Sequence, residues 1–301
     1  MKYAVGIDIG GTNIPASLID YTGKIVATIE KKTDAHDGPD TVVNRIADSV
    51  KELSSKINVA DFVGIGLGAP GALDLANGTI IKCANLKDWN EVPIVKMLKE
   101  KIGFNVCMDN DANCAAIGEH WIGGAKGTKN AVIMTLGTGI GGGIIIDGKI
   151  FRGSHGTAGE IGHTTIEKNG RACGCGNYGC LEAYASATGA VTTAKEMGKA
   201  NITAREIFIS AEAGDELCKK ILQESGKYLG IGIANLANIF DPDAIIIGGG
   251  FSNAEKYLFP YAIEEAYKRT FKTIMDKIKI KRAELGNDAG VIGAARLVFL
   301  A

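Results

Sequence analysis

A strand–loop–strand unit that occurs twice constrains the fold of this chain more than any other feature. In the first copy, an apolar strand runs into the glycine turn Asp8–Asn13, and a second strand follows. The second copy occupies Val132–Ile150, with the loop Gly137–Gly143 between two apolar strands. The continuation is repeated as well, because IDYTGKI at residues 19–25 is matched by IDGKI at residues 146–150. This internal duplication predicts two α/β lobes, each opening with one β-hairpin.

The glycines of the second loop match a dinucleotide-binding spacing, since Gly137, Gly139 and Gly142 stand as G-x-G-x-x-G. That fingerprint requires a helix directly after the glycines, whereas Ile144–Gly148 has the pattern of a strand and a turn. Neither loop has the GxxxxGK[ST] spacing of a P-loop. Two glycine–threonine hairpins are instead typical of an actin-like ATPase, in which backbone N–H groups bind the phosphates of ATP.

The predicted fold is therefore a two-lobed actin-like ATPase (ribonuclease H-like) α/β fold with duplicated β-hairpin phosphate loops. No linker rich in proline, glycine or serine marks a boundary between lobes, so the division rests on the repeat. It predicts an N-terminal lobe at residues 1–117 and a C-terminal lobe at residues 118–287. The residues predicted to contact ATP in the two loops are Asp8, Gly10, Gly11, Thr12, Asn13, Gly137, Thr138 and Gly139.

The segment His155–Glu182 is poorly suited to ordinary packing, because glycines separate its histidines, cysteines and carboxylates. Cys173, Cys175 and Cys180 supply three thiolates from one tight loop, and His163 can return as a fourth ligand. Such a Cys3His set is the composition of a closed structural zinc site. The alternatives are a disulfide with a spare thiol, or three unrelated cysteines, but persistent disulfides are rare in a chain without a secretory signal. A closed site has no open coordination position, so zinc is predicted to shape the loop.

The same segment carries a resemblance to a known family. HGTAGEIGH at residues 155–163, followed by CGCGNYGCLEAYAS at residues 173–186, resembles the signature of the ROK family of bacterial sugar kinases and sugar-responsive repressors. The resemblance is closest to the family's glucokinases and extends over essentially the whole chain. It implies that Glu160, His163 and Glu182 bind sugar hydroxyls, and that His163 is also a zinc ligand with the three cysteines.

A second motif concerns the reaction itself. An Asx-rich turn before a helix is usually an N-cap, and that is the prediction for Asp109. NDANCAA at residues 110–116, however, resembles the family motif whose aspartate is the catalytic base. The resemblance implies that Asp111 is the base and that Asn110 binds the sugar.

Three weaker segments are similar to the family. GxPGxxD at residues 68–74, with Gly71, implies a turn near the sugar, although the pattern alone indicates only a Pro-Gly turn. Asn85, in a loop with Trp89, is likewise similar to a sugar-side segment. Gly249 and Gly250 follow an apolar strand and indicate a tight turn, or, by the resemblance, a loop that approaches the adenosine. The resemblance also implies that the C-terminal helix at residues 288–301 returns to the first lobe.

Charge and hydropathy exclude several function classes. Thirty-three basic and 34 acidic residues give a net charge of −1, so no global field favours nucleic acid or an anionic membrane. The N-terminus reaches Asp8 before any signal-peptide apolar region develops, and the longest uncharged run, at residues 131–146, is short for a membrane span. The predictions are a cytoplasmic protein with no nucleic-acid or membrane partner, and reduced packing thiols at the cysteines outside the cluster: Cys83, Cys107, Cys114 and Cys218.

Together these features predict ATP-dependent phosphorylation of a hexose, with D-glucose converted to glucose 6-phosphate. Asp111 would accept the proton of the 6-hydroxyl, and Asp8 would hold Mg²⁺ through water. Other acceptors stay open, namely N-acetylglucosamine, N-acetylmannosamine, fructose and allose, as do the donors ADP and polyphosphate. A non-catalytic sugar-binding regulator is the alternative of another class. The resemblance favours homodimers or homotetramers. Pro15 departs from the family pattern, and in a hairpin strand it forfeits a ladder hydrogen bond unless it lies at an edge or a bulge, which bears on the geometry of the first phosphate loop.

Overall fold

The structure is a computed structural model that describes residues 1–83, 86 and 89–301. Its strands are β1 (Tyr3–Asp8), β2 (Asn13–Asp20), β3 (Ile25–Lys32), β4 (Phe62–Ala69), β5 (Ala72–Asp74), β6 (Thr79–Lys82), β7 (Asn90–Val92), β8 (Val106–Asn110), β9 (Ala131–Leu136), β10 (Ile140–Ile146), β11 (Lys149–Ile150), β12 (Ala244–Gly248) and β13 (Lys279–Arg282). Its helices are α1 (Pro39–Ser54), α2 (Ile94–Ile102), α3 (Asp111–Ile122), α4 (Glu182–Ala185), α5 (Ala187–Glu196), α6 (Ala204–Glu212), α7 (Glu216–Phe240), α8 (Glu255–Arg269), α9 (Lys272–Met275) and α10 (Ala289–Leu300).

The chain divides into two compact units. The first comprises Met1–Gly127, Ile150–Ala158 and Leu285–Ala301, and the second comprises Thr128–Lys149 and Gly159–Glu284. The first unit extends past the predicted boundary at residue 117, because α3 runs unbroken through that position. It also includes the short segment 150–158, which the duplication alone assigned to the second lobe.

Each unit contains a five-stranded sheet, and the two sheets have the same strand order. The orders are β3-β2-β1-β4-β8 in the first unit and β11-β10-β9-β12-β13 in the second. In each sheet the opening hairpin is antiparallel, while β4 and β12, on the other side of β1 and β9, pair with those strands in parallel. The duplication predicted from the sequence is thus present in the topology, and the predicted α/β class is confirmed. A further small sheet, β5-β6-β7, belongs to the first unit.

Glycines allow α10 to pack directly on the first sheet. A Cβ atom at Gly6 of β1 or Gly66 of β4 would overlap the carbonyl oxygen of Val291 or Ala294 in α10. On the other side of α10, a Cβ atom at Gly293 would lie 2.6 Å from the carbonyl carbon of Cys114 in α3. Backbone-to-backbone contact of this kind leaves no room for side chains, which explains the small residues of this helix.

Pro15 lies in neither an edge strand nor a bulge. β2 has neighbours on both sides, and Pro15 pairs with Glu30 of β3. However, the ladder between β1 and β2 ends at the Ile7–Ala16 pair, one residue before Pro15. The Asn13 carbonyl accepts a hydrogen bond on the β1 side of β2. Backbone polar groups two residues apart in a strand point to the same side, so the Pro15 nitrogen also faces β1. The missing N–H therefore falls at the end of a ladder, where its loss costs least.

Helix caps follow the local sequence in the second unit. α7 begins after Asp215, whose carboxylate accepts hydrogen bonds from the backbone N–H groups of Leu217 and Cys218. It ends at Asp241, which adopts a left-handed conformation directly before Pro242. Among the residues that the structure describes, no helix is both long enough and apolar enough to cross a membrane.

Candidate active site

The first glycine turn is closed by its own backbone. The Gly10 N–H donates to the Asn13 carbonyl at 3.1 Å, and a Cβ atom at Gly10 would lie 2.7 Å from that oxygen. The end of β3 supports the turn from outside, because the Thr33 hydroxyl donates to the Gly10 carbonyl at 2.6 Å. The Thr33 N–H also donates to the Thr12 carbonyl. Gly11 and Thr12 are left exposed at the tip.

Lys32, at the end of β3, contacts this turn and was not predicted from the sequence. Its ammonium group donates to the Asn13 side-chain oxygen at 2.9 Å, because the β2–β3 register sets Lys32 opposite Asn13. A positive charge therefore lies beside the backbone N–H groups of the turn. The signal was available in the sequence only as two lysines at the end of a strand, and the pairing register was needed to place them.

The carboxyl ends of three parallel neighbours lie at one edge of the first sheet. In the β1–β4–β8 ladder, Gly68 pairs with both Asp8 and Asp109. This register presents Asp8 and Asp111 at the same edge, where ligands of open α/β sheets bind. Burial and, to a smaller extent, the nearby charge of Asp111 together raise the pKa of Asp8 to about 7. A cation bound here would relieve both effects, so Asp8 is suited to holding Mg²⁺.

The Asp8→Asn substitution is expected to stabilise the free protein at alkaline pH. Because the Asp8 pKa is about 7 in the folded protein, against an ordinary value of 3.8, the folded state binds more protons than the unfolded state between these values. Stability of the unsubstituted protein should fall as pH rises through this window. Removal of the carboxylate should raise the free energy of unfolding at pH 8 by about 2 kcal/mol. This is roughly half of the energy that corresponds to the full pKa shift, because water still reaches the group.

Urea unfolding of both proteins at about pH 4.5 and pH 8 checks this expectation. The gain from Asp8→Asn should be present at the higher pH and nearly absent at the lower one. An equal gain at both pH values would contradict a raised pKa. The exchange should also reduce kinase turnover, so stability and activity are expected to move in opposite directions.

The N-cap of α3 is Asn110, and not Asp109 as predicted. The Asn110 side-chain oxygen accepts hydrogen bonds from the N–H groups of Ala112 at 2.9 Å and Asn113 at 3.3 Å. Asp111 is then the first residue of the helix, so a rigid element fixes its backbone. Asp109 is instead fully buried and paired with Arg152. Because capping occupies the Asn110 oxygen, its predicted sugar contact would have to come from the amide nitrogen.

The second glycine–threonine loop is held from both sides within its own unit. The Gly137 N–H donates to the Gly139 carbonyl at 2.9 Å, which closes the turn. On one side, the Glu182 carboxylate accepts a hydrogen bond from the Ile140 N–H at 2.8 Å. On the other, the Ala187 N–H donates to the Gly137 carbonyl at 3.0 Å. Thr138, at the tip, stays exposed.

A helix break makes the second of these contacts. α4 ends at Ala185 and α5 starts at Ala187. Ser186 between them is extended, and its hydroxyl accepts a hydrogen bond from the Gly189 N–H. The break leaves the first N–H groups of α5 without helical partners, and one of them bonds to the phosphate loop.

Gly249 and Gly250 lie beside this loop. Gly249 has a φ of 84°, and a Cβ atom there would lie 2.6 Å from the Leu136 nitrogen, next to the start of the loop. This position therefore requires glycine both for its backbone conformation and for its close approach. A Cβ atom at Gly250 would meet no atom within 4 Å, so this side of the turn is open to a ligand.

Four metal-ligating side chains converge in the second unit. The donor atoms of His163, Cys173, Cys175 and Cys180 all lie within 4.8 Å of one another. A tetrahedral zinc ion with Zn–S bonds of about 2.3 Å and Zn–N bonds of about 2.0 Å would separate two sulfurs by about 3.8 Å and a sulfur from a nitrogen by about 3.6 Å. Here the sulfurs of Cys175 and Cys180 are 3.7 Å apart, and the Cys173 sulfur lies 3.6 Å from His163 Nδ1. The donor set therefore fits zinc, and the sulfurs are too far apart for a disulfide.

The pKa values of the three thiols shift in different directions. Burial raises the pKa of Cys180 to about 12 and also raises the pKa of Cys173, whereas a backbone hydrogen bond at Asn177 lowers the pKa of Cys175. Three thiolates this close together would repel one another unless a cation lay between them. The four cysteines outside the cluster, Cys83, Cys107, Cys114 and Cys218, are free thiols, and all but the half-buried Cys107 are buried.

The predicted sugar ligands of the second unit surround the cluster. Nε2 of His163, the ring nitrogen that faces away from Cys173, lies 3.9 Å from the exposed Glu160 carboxylate. One oxygen of Glu182 lies 3.6 Å from the Cys173 sulfur, while the other binds the Ile140 N–H. Glu182 thus joins the cysteine loop to the second glycine–threonine loop, a link that was not predicted from the sequence.

The remaining sugar-side predictions lie in the first unit. Gly71 has a φ of 87°, and a Cβ atom there would lie 2.9 Å from the Cys83 Cα atom. Glycine is therefore required at the Pro-Gly turn by close packing against the end of β6. Asn85 lies outside the described residues, whereas Trp89, from the same predicted loop, is buried.

Comparisons with known proteins show which family this chain resembles along its length. A model of the ROK family matches residues 4–300. A glucokinase of Halalkalibacterium halodurans is 40% identical, over 99% of this chain and 95% of that protein. The crystal structure of a ROK hexokinase from Thermus thermophilus has a TM-score of 0.87 at 32% identity, and covers 99% of this chain and 98% of that one.

A further solved structure contains bound ligands. It is a ROK family glucokinase from Streptomyces griseus in complex with glucose and AMPPNP, with a TM-score of 0.85 and 32% identity, over 99% of this chain and 100% of that one. These likenesses and the duplicated sheet order confirm the predicted actin-like fold class. Since the family model covers nearly every residue, and full-length relatives share a third or more of their sequence with it, this chain belongs to the ROK family.

Proposed function

We propose that this protein transfers the γ-phosphoryl group of ATP to the 6-hydroxyl of D-glucose, giving glucose 6-phosphate. The observation that carries the proposal is the position of Asp111, at the start of α3 and near Asp8, in the unit that holds the Gly10–Asn13 turn. Relatives named as glucokinases and hexokinases align with the full chain, which supports the same reaction.

Phosphoryl transfer requires an anion cradle, a cation and a base for the attacking hydroxyl. In this proposal, backbone N–H groups of Gly10–Asn13 and Gly137–Gly139 hold the phosphates, and Lys32 adds a positive charge at the first loop. The Asp111 carboxylate takes the proton of the 6-hydroxyl as that oxygen attacks the γ-phosphorus. Mg²⁺ bound with ATP would neutralise charge on the phosphates, and Asp8 would hold it through water, since Mg²⁺ keeps most of its water ligands.

The sugar is bound through its other hydroxyl groups. The carboxylates of Glu160 and Glu182 accept hydrogen bonds from these hydroxyls. The His163 imidazole forms a further hydrogen bond with them, and the Asn110 amide nitrogen donates one. His163 can serve both purposes, because Nδ1 faces the cysteines and Nε2 faces away from them. Gly71 and Asn85 are proposed to border the sugar, and Gly249 and Gly250 the adenosine.

A structural zinc ion completes the proposal, held by His163 and the three cysteines of the cluster. Its task is to fix the loop that carries the sugar ligands, since four protein ligands leave no position for substrate. Cytoplasmic localisation and assembly into homodimers or homotetramers stay predictions.

The Cys175→Ser substitution should remove zinc and weaken glucose binding more than ATP binding. Cys175 is the most exposed ligand of the cluster, so the exchange removes a metal ligand with little loss of packing. Loss of an outer constraint on ligand orientation typically costs about 10–100-fold in affinity, and this range is expected for glucose. Metal analysis and isothermal calorimetry with each substrate measure the two effects.

Cys107→Ser, in the first unit and outside the cluster, serves as the matched control and should keep both zinc and glucose affinity. The proposal for the metal fails if the purified, unsubstituted protein contains no zinc. It also fails if Cys175→Ser loses zinc but binds glucose normally.

A phosphorylation screen tests the reaction as a whole. Glucose, N-acetylglucosamine, N-acetylmannosamine, fructose and allose would each be offered with ATP, ADP and polyphosphate, and kcat/KM compared. Glucose with ATP is expected to give the highest value. If another combination of sugar and donor gave a higher kcat/KM, the proposed acceptor or donor would be wrong. If no sugar-dependent ATP turnover were found, a sugar-binding regulator would be favoured.

A further inference from the structure

A buried carboxylate lies directly behind the two residues proposed to bind and deprotonate the sugar. The Asp109 side chain is 0% exposed. One of its oxygens accepts hydrogen bonds from the Asn110 N–H at 2.8 Å and from the Asn113 amide at 2.9 Å. The other accepts from Nε and Nη2 of Arg152, both at 2.7 Å. Four donors thus fill the acceptor positions of a single carboxylate.

This arrangement joins three pieces of the first unit. Asp109 belongs to β8, Asn113 to the first turn of α3, and Arg152 to the segment Ile150–Ala158. The bond to the Asn110 N–H and the bond to the Asn113 amide set the angle at which β8 passes into α3. That passage consists of Asn110 and Asp111.

The orientation of the carboxylate is set by contacts on both of its oxygens. Two N–H groups of the planar Arg152 guanidinium converge on one oxygen and hold its position more closely than a single ammonium contact would. The other oxygen is held by Asn110 and Asn113. Buried ion pairs are weak contributors to stability compared with apolar side chains of similar volume. Geometry is therefore a better reason for this pair than stability.

We propose that Arg152 is a positioning residue for the sugar-phosphorylation site. Through Asp109 it holds the backbone that presents the Asp111 carboxylate and the Asn110 amide to the sugar. This proposal rests on the proposed function, in which Asp111 is the base. Arg152 itself contacts neither the sugar nor ATP in this account.

The test compares Arg152→Met, Arg152→Lys and the double variant Asp109→Asn/Arg152→Met. Arg152→Met should lower kcat by roughly tenfold or more and weaken glucose binding, because small displacements of reacting groups have effects of up to about 10²-fold. Binding of ATP should stay within about twofold. Arg152→Lys keeps the charge but not the planar two-bonded contact, so it should recover only part of kcat.

The double variant separates positioning from folding. It leaves no unpaired charge in the interior, so its thermal midpoint should return toward that of the unsubstituted protein, while kcat and glucose affinity stay low. All rates would be measured at a temperature where circular dichroism shows each variant folded. Arg269→Met, which breaks an exposed ion pair with Glu265 in the second unit, is the matched control and should leave kcat unchanged.

Two results would overturn the positioning role. One is normal kcat and glucose affinity in Arg152→Met, and the other is recovery of kcat together with the thermal midpoint in the double variant. Asp111→Ala, measured beside them, distinguishes the proposals. An inactive Asp111→Ala with an unaffected Arg152→Met removes only the role of Arg152, whereas normal turnover in Asp111→Ala removes the base and the positioning role together.

Discussion

Asp111→Ala should lower kcat by at least ~10²-fold, the range expected when a general base is lost, while glucose still binds. Without this carboxylate no group at the start of α3 can accept the proton of the 6-hydroxyl. The other proposed sugar ligands stay in place, so binding energy is largely kept. Steady-state kinetics and calorimetry with glucose measure the two quantities on the same protein.

Two further variants separate the base from the local structure. Asp111→Asn preserves the shape of the side chain and should be nearly as slow as Asp111→Ala. Asp215→Ala removes the capping carboxylate of α7 in the second unit, and should destabilise the protein by about 1 kcal/mol without a comparable loss of kcat. Near-normal turnover in Asp111→Asn would show that another group acts as the base.

Gly293→Ala is expected to cause the largest loss of stability, about 3 kcal/mol or more. In an ordinary helix this exchange is favourable, because alanine has the higher helix propensity. Here the added Cβ atom would lie 2.6 Å from the Cys114 carbonyl carbon and 2.8 Å from the Gly118 nitrogen. Both are backbone atoms of α3, so relief requires α10 to move away from α3. Urea unfolding followed by circular dichroism measures the loss.

Leu300→Ala is the control on the same helix. Its side chain is 64% exposed, so the free energy of unfolding should change by no more than about 0.5 kcal/mol. If Gly293→Ala proved neutral or stabilising, direct contact between the backbones of α3 and α10 would be ruled out. Since α3 begins at Asp111, a displaced helix should also reduce kcat.

Much of the architecture could be predicted because short or repeated sequence patterns determine it. The duplicated hairpin predicted two similar halves, and the two sheets have the same strand order. Spacing predicted the ligand set of His163 and the three cysteines, whose donor atoms do converge. In both cases the relevant residues are near neighbours along the chain or recur with one fixed pattern.

The errors share a single cause. Asp109 was predicted to be an N-cap because its local sequence allows one, but its partner Arg152 lies 43 positions away. Lys32 was overlooked because only the register of β2 and β3 brings it to Asn13.

The sequence by itself determined the class of fold, the duplicated glycine–threonine hairpins and a set of four side chains that could hold a metal, since local spacing and side-chain chemistry fix these. Only the tertiary structure decided which polar groups become partners, such as Arg152 with Asp109 and Glu182 with the Ile140 N–H. Such pairs depend on how the chain returns upon itself. Burial then makes each pairing obligatory, because a polar group without a partner in the interior is costly.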